Sequence, residues 1–266
     1  MKRIKRTEAF EVSLVIKDNA FINPPKVAQR NAVVNRALKE FSAELNSLNE
    51  QTKKFVPGET AANDNLGLSE RGQAQLSAQE IMEDWQIPLM EAMAKAIAED
   101  GGDILEVGFG RGVSADMIQK HPIASHTIIE CNDLVVEQHF QPWKEKYTTK
   151  DISLVHSLWQ DSIDNLGLFD GIFFHTYPLN EDEYMQYVNA SITFAEHFFH
   201  HASNHLKPGG RFTYFSNEIQ SLSREHQHML LKHFSSFTVH VIPLRMPVDV
   251  KDTWWADSMV VIKAIK

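Results

Sequence analysis

The 266-residue sequence has one cysteine, Cys131. A single thiol closes no internal disulfide, so the fold has to rest on its apolar core, as expected in a reducing, cytoplasmic setting. Long hydrophobic runs are missing as well, and no segment reads as a membrane span. The basic start Met1-Lys-Arg-Ile-Lys-Arg6 is followed by no apolar signal core, so it reads as a solvated terminus. Positive charge is not in excess. Lys and Arg total 26 against 35 Asp and Glu, a formal charge of −9, which argues against a surface built to wrap nucleic acid. There are no repeats, and no H-E-x-x-H pair. His197, His200, His201 and His205 share one helical face by spacing, and histidines four apart can bind zinc. With no acid inside that face, it reads as a polar helix surface, and no metal is expected.

What the chain does have is Asp103-Ile-Leu-Glu-Val-Gly-Phe-Gly-Arg-Gly112, a buried strand running into a glycine-rich turn and a helix start. Gly108, Gly110 and Gly112 let the backbone bend and approach a ligand. Glu130 ends a second apolar run twenty residues after Gly110, where an acid can accept hydrogen bonds from two ribose hydroxyls. A dinucleotide fingerprint wants its third glycine where Val113 stands. A G-x-G-x-G turn preceded by an acid, Glu106, instead resembles the first motif of class I S-adenosylmethionine (SAM) methyltransferases. Cys131, beside Glu130, reads as wall rather than nucleophile.

Residues 1–100 read as a helical extension capping the nucleoside site, and 101–266 as the SAM-binding domain. Val34, Leu38, Phe41, Leu45 and Leu48 form one helical stripe, which docks on its own chain or forms a dimer seam, leaving monomer and homodimer both open. Residues 56–70 are loop-like. A second helix is predicted to run to Trp85. Pro88 suits the first turn of a third, carrying Leu89, Met90, Met93 and Ile97. Strands are predicted near 103–108, 126–130, 152–156, 170–176, 211–216, 237–245 and 254–264, with helical patterns between most. This alternation predicts an α/β fold, a seven-stranded, doubly wound, Rossmann-like parallel sheet. Ligands in such sheets sit at the carboxyl ends of the strands, which gathers Gly108–Gly112, Glu130, Ser157–Asp161 and His175–Pro178 around one cleft.

Further segments resemble guanidinoacetate N-methyltransferase and its relatives over about residues 80–266. They are Trp85-Gln-Ile-Pro-Leu-Met90, Ile128-Ile-Glu-Cys-Asn-Asp133, Leu158-Trp-Gln-Asp161, Thr176-Tyr-Pro-Leu179 and Leu206-Lys-Pro-Gly-Gly210. The resemblance implies that the glycine turn takes the methionine and ribose parts of SAM, that Glu130 holds the ribose, that Leu158 and Trp159 lie by the adenine, and that Met90 packs near the cofactor. It implies an acceptor site around Gln86, Phe174 and Thr176. Family members grip a guanidinium with two carboxylates. At the matching positions this chain has Gln86 and His175. A permanent cation is best held by paired carboxylates, so a guanidine is not the expected acceptor.

Two reactions remain open. One is methyl transfer to a small amino-acid-like acceptor, with His175 as base or hydrogen-bonding group and with Tyr177 and Trp85 offering aromatic faces to the sulfonium. The other treats SAM as the sole substrate, as in the azetidine-2-carboxylate synthases that resemble this family: the α-amine attacks the γ-carbon and methylthioadenosine leaves. A nucleic-acid methyltransferase fits less well. Its usual Asn/Asp-Pro-Pro-aromatic motif is replaced here by Phe174-His-Thr-Tyr-Pro178. A SAM-binding protein without catalysis is the remaining alternative.

Overall fold

The structure, a computed structural model, describes residues 75–245 and 257–266. The described residues all fall within the unit Leu66–Lys266. The 34–48 stripe and the 56–70 loop lie outside the described residues.

Seven strands form one sheet: β1 (Gly102–Val107), β2 (Ile123–Glu130), β3 (Ile152–His156), β4 (Phe169–Phe174), β5 (Leu206–Ser216), β6 (Ser236–Pro243) and β7 (Ser258–Ile265). Their order is β3-β2-β1-β4-β5-β7-β6. The first five strands pair in parallel. The expectation of a wholly parallel sheet is corrected at β7, which runs antiparallel to both β5 and β6. Met259–Ile262 are all buried because β7 is interior, whereas β6, at the edge, alternates between half-buried and exposed positions. Lys207-Pro-Gly-Gly210, with two glycines after a proline, has the composition of a turn. It lies inside β5, at the register shift against β4.

Strand alternation sends side chains into two cores. Leu105, Val107, Ile172 and Phe174 join Phe198, Phe199, Phe212 and Leu230 on one face. Ile104, Phe173 and Val261 meet Leu89, Met90, Met93 and Ile97 on the other. The helix Ile87–Ala98 starts with Pro88 in its first turn and buries that stripe on the sheet. It forms a layer against the sheet. The helix expected to run to Trp85 is two short pieces, Ala78–Ile81 and the 3₁₀ turn Asp84–Gln86, with Met82 extended between them. The first piece begins with a Ser77/Glu80 capping box. Arg111 accounts for the break by donating to the Met82 carbonyl at 2.9 Å and the Asp84 carboxylate at 2.7 Å.

Glu106 ends up inside this core. Ser114 Oγ donates to its Oε1, and His126 Nε2 lies 3.1 Å from its Oε2, both side chains being fully buried. The Gln119 amide nitrogen sits 3.0 Å from His126 Nδ1. An amide N–H only donates, so Nδ1 accepts and the ring proton sits on Nε2, close to the Glu106 carboxylate but not aligned as a hydrogen bond to it. Removing one member leaves a buried polar group without its counterpart. We expect His126→Leu to lower stability by about 3–5 kcal/mol. The paired Glu106→Gln, His126→Gln variant should lose clearly less. Urea unfolding of the two variants tests this, and equal losses would show that the pair is not coupled.

Candidate active site

The carboxyl ends of β1 to β4 open into one cavity. Its lining includes Gly108, Gly110, Glu130, Leu158, Trp159, His175, Thr176 and Tyr177. The β1 turn is shaped by backbone approach. Gly108 has φ 91°, and a Cβ there would run into the carbonyl oxygen of His175. The backbone N–H of His175 in turn donates to the Val107 carbonyl at 3.0 Å, so the turn and the strand β4 exit are held back to back.

Glu130 organises the next part. Its Oε2 accepts from the backbone N–H of Phe109 (3.0 Å) and Gly110 (3.3 Å), and its Oε1 from Cys131 (2.8 Å) and Asn132 (2.9 Å). One carboxylate thus ties the glycine turn to the β2 exit. Asn132 Oδ1 caps the helix that follows, accepting from Leu134 and Val135 N–H at 3.0 and 3.1 Å. This accounts for the E-C-N-D order: tie, wall, cap. The Cys131 thiol lines the cavity and is pushed up to about 12 by burial and by the Glu130 charge.

At the far end, Leu158 precedes the short helix Trp159–Ser162. The Trp159 indole meets His197 (5.5 Å between centroids), Phe198 (5.0 Å) and His201 (5.2 Å). On the remaining wall the His175 ring lies 5.6 Å from Tyr177 and 5.2 Å from Phe215. The residue is half-buried, and its shielded Nε2 has no hydrogen-bond partner among the described residues. Burial alone lowers its pKa to about 4, so the ring is neutral at physiological pH.

Six expected site residues are not at the cavity wall. Glu106 is the buried acid described above. Gly112 starts the helix Val113–Ile118 in the left-handed conformation, against the Phe109 ring. Met90 is fully buried in the core. Trp85 packs in that same core, and its indole N–H donates to the Glu83 carboxylate. Phe174 stacks on Phe198 at 4.4 Å inside the other core. Gln86 is buried, and its amide reaches toward the cavity only as far as the Tyr177 hydroxyl, at 3.4 Å. After the Thr176-Tyr-Pro-Leu179 segment, Glu183 is an acid that lines the cavity. Sequence reasoning also missed Glu80, Arg111 and His197. For His197 the helical spacing misled. Phe194–Phe198 is a 3₁₀ segment and only Phe199–His205 is α-helical, so the four histidines do not share one phase. Among the described residues no group of three or more His, Cys, Asp or Glu could hold a metal ion, and no helix is long and apolar enough to cross a membrane.

The residues fit SAM. A backbone cradle with no room for a side chain at Gly108, the Glu130 carboxylate and the Trp159 indole line one cavity, the groups that a methionine chain, a ribose and an adenine would call for. The strand order, with an antiparallel β7 between β5 and β6, is that of the class I SAM methyltransferase fold. The chain belongs to the guanidinoacetate N-methyltransferase family, whose model matches residues 60–236. The chain is also 24% identical over 147 residues to protein arginine N-methyltransferase 2 of Saccharomyces cerevisiae, covering 51% of this chain and 32% of that protein. The Yarrowia lipolytica protein of the same name is 26% identical over 147 residues, 51% of this chain and 28% of that one. This chain therefore spans about a third of the length of the curated relatives it matches. Among solved structures, a putative SAM-dependent methyltransferase from Streptococcus mutans aligns with a TM-score of 0.49 at 12% identity, covering 67% of this chain and 48% of that one. Precorrin-6y C5,15-methyltransferase from Geobacter metallireducens gives 0.45 at 14%, covering 76% and 97%.

Proposed function

We propose that this chain transfers the methyl group of SAM to a small, amino-acid-like acceptor that is not a guanidine. One observation carries the reading: where the family resemblance places two carboxylates, this chain has a buried Gln86 and a neutral, half-buried His175. Each acid among the described residues that lines the cavity holds at least one backbone N–H group. Glu80 accepts from Ser77 at 2.8 Å, Glu183 from Leu179 at 2.9 Å, and Glu130 from four donors.

SAM supplies a methyl carbon already activated by its sulfonium. The chain has to position the nucleophile and keep water out. The glycine turn and Glu130 fix the nucleoside. Thr176 and Tyr177 form the wall facing the methyl group, with the Tyr177 ring available to the cation. Gln86 and Trp85 act behind that wall, Gln86 by positioning the Tyr177 hydroxyl and Trp85 by packing. His175 accepts the proton that a protonated nucleophile must lose.

A second reading has its own support, since His175 packs its backbone against Gly108 at the methionine end of the site. There, the SAM α-amine is the nearest nucleophile. In this reaction an N–Cγ bond forms, the Cγ–S bond breaks with its electron pair leaving on sulfur as methylthioadenosine, and the amine proton goes to His175. Azetidine-2-carboxylate is the other product.

Incubation with SAM alone, followed by mass spectrometry, separates the readings. Methyl transfer predicts no turnover until an acceptor is added, then S-adenosylhomocysteine. Enzyme-dependent methylthioadenosine and azetidine-2-carboxylate without any acceptor would replace it with the cyclase. In either case His175→Asn should lower kcat by about a hundredfold or more with little change in KM. Its pKa near 4 leaves the ring unprotonated above that pH, so His175 should impose no acid limb on the rate between pH 5 and 8, and activity should fail only as pH approaches 4. An acid limb near 6.5 that disappears in His175→Asn would contradict the neutral assignment.

A further inference from the structure

We infer that His197 reads the amino edge of the adenine ring, making the site selective for a 6-aminopurine nucleoside. The inference rests on the cavity being the SAM site and adds the residue that selects its base. His197 lines the cavity on the same side as Leu158 and Trp159. Its Nδ1 lies 2.5 Å from the Phe194 carbonyl oxygen. A carbonyl only accepts, so the ring proton sits on Nδ1 and Nε2 is left with a lone pair. The ring plane is fixed as well. Tyr187 stacks on it at 4.2 Å and 16°, Phe194 packs at 4.8 Å, and Trp159 stands 5.5 Å away. The result is an oriented acceptor in an aromatic wall, with the tautomer set by the main chain. Burial lowers the pKa of His197 to about 4, so the acceptor persists across neutral pH.

Adenine offers an exocyclic N–H donor to such a group. Hypoxanthine has a carbonyl oxygen at that atom, which would set acceptor against acceptor. A site built around a hydrogen bond to one functional group rejects the analogue lacking it far better than an apolar pocket does.

The test is calorimetric titration of the full chain with S-adenosylhomocysteine and with S-inosylhomocysteine, its 6-oxo counterpart. Wild type should prefer the adenosyl compound by about thirtyfold or more. His197→Phe keeps a flat ring against Tyr187 and removes the acceptor. It should bind S-adenosylhomocysteine about tenfold more weakly, and its preference should fall to about threefold or less. His197→Gln, whose amide can turn either edge to the base, should likewise lose selectivity and serves if the Phe variant does not fold. An unchanged preference in a folded variant, or equal binding of both compounds by wild type, would overturn the inference and leave the SAM site standing. Failure of wild type to bind S-adenosylhomocysteine at all would overturn both.

Discussion

Glu130→Ala should abolish measurable S-adenosylhomocysteine binding, with a loss of more than about a hundredfold, and should also destabilise the protein by about 3 kcal/mol. The binding loss follows from the proposed pair of ribose hydroxyl bonds to a carboxylate, each of the stronger, charge-assisted kind. The stability loss has a separate origin. In the structure the carboxylate accepts from Phe109, Gly110, Cys131 and Asn132, so its removal strips four backbone donors at the junction of the β1 turn and the β2 exit. Glu130→Gln separates the two effects. It keeps one acceptor oxygen, turns an NH₂ group toward two of the donors, and should fall between wild type and alanine in both calorimetry and urea unfolding. An alanine variant that binds normally would remove Glu130 from the nucleoside site. One that binds weakly but is fully stable would show that its backbone bonds are easily replaced by water.

Gly108→Ala should be the most damaging single methyl in the described chain. The added carbon falls on the His175 main-chain carbonyl, which belongs to a paired strand end and cannot rotate away, and the residue would also be held at φ 91°. We expect a loss of about 3–5 kcal/mol, a fall in melting temperature of roughly 10 °C at about 2–4 °C per kcal/mol, and no SAM binding in whatever remains folded. Gly209→Ala is the control. Its φ is 77° with nothing within 4 Å of the added carbon, so only the conformational cost of about 1–2 kcal/mol applies. Similar losses at both sites would mean that the turn relaxes and that the close approach is not a constraint.

The part of the site legible in the sequence is the part made by local geometry. A strand, a glycine turn and an acid at the next strand end are contiguous patterns, and their placement follows from the parallel order of β2, β1 and β4. What escaped depended on direction. Glu106 precedes the turn, as a ligand-binding acid would, but one step along a strand reverses the face, and it points away from Leu105 and Val107 toward Ser114 and His126. His126 in an otherwise apolar strand was the available clue. His197 was hidden by a change of helical pitch between residues 198 and 199. Gln86 and His175 were singled out as departures from a resemblance, yet their link through Tyr177 needed three-dimensional coordinates. The reversed β7 was partly readable, because its apolar run marks an interior strand and β6 before it marks an edge.

The wall residue Cys131 carries a last consequence. A thiol in a nucleoside cleft is an obvious target for oxidants and alkylating agents, which attack the thiolate. With its pKa pushed to about 12, this one ionises in only about one molecule in thirty thousand at pH 7.5. Burial first, and then the carboxylate that fastens the turn, suppress the chain's single thiol nucleophile. A substitution that neutralises position 130 removes part of that protection, and the cleft becomes more sensitive to its redox surroundings.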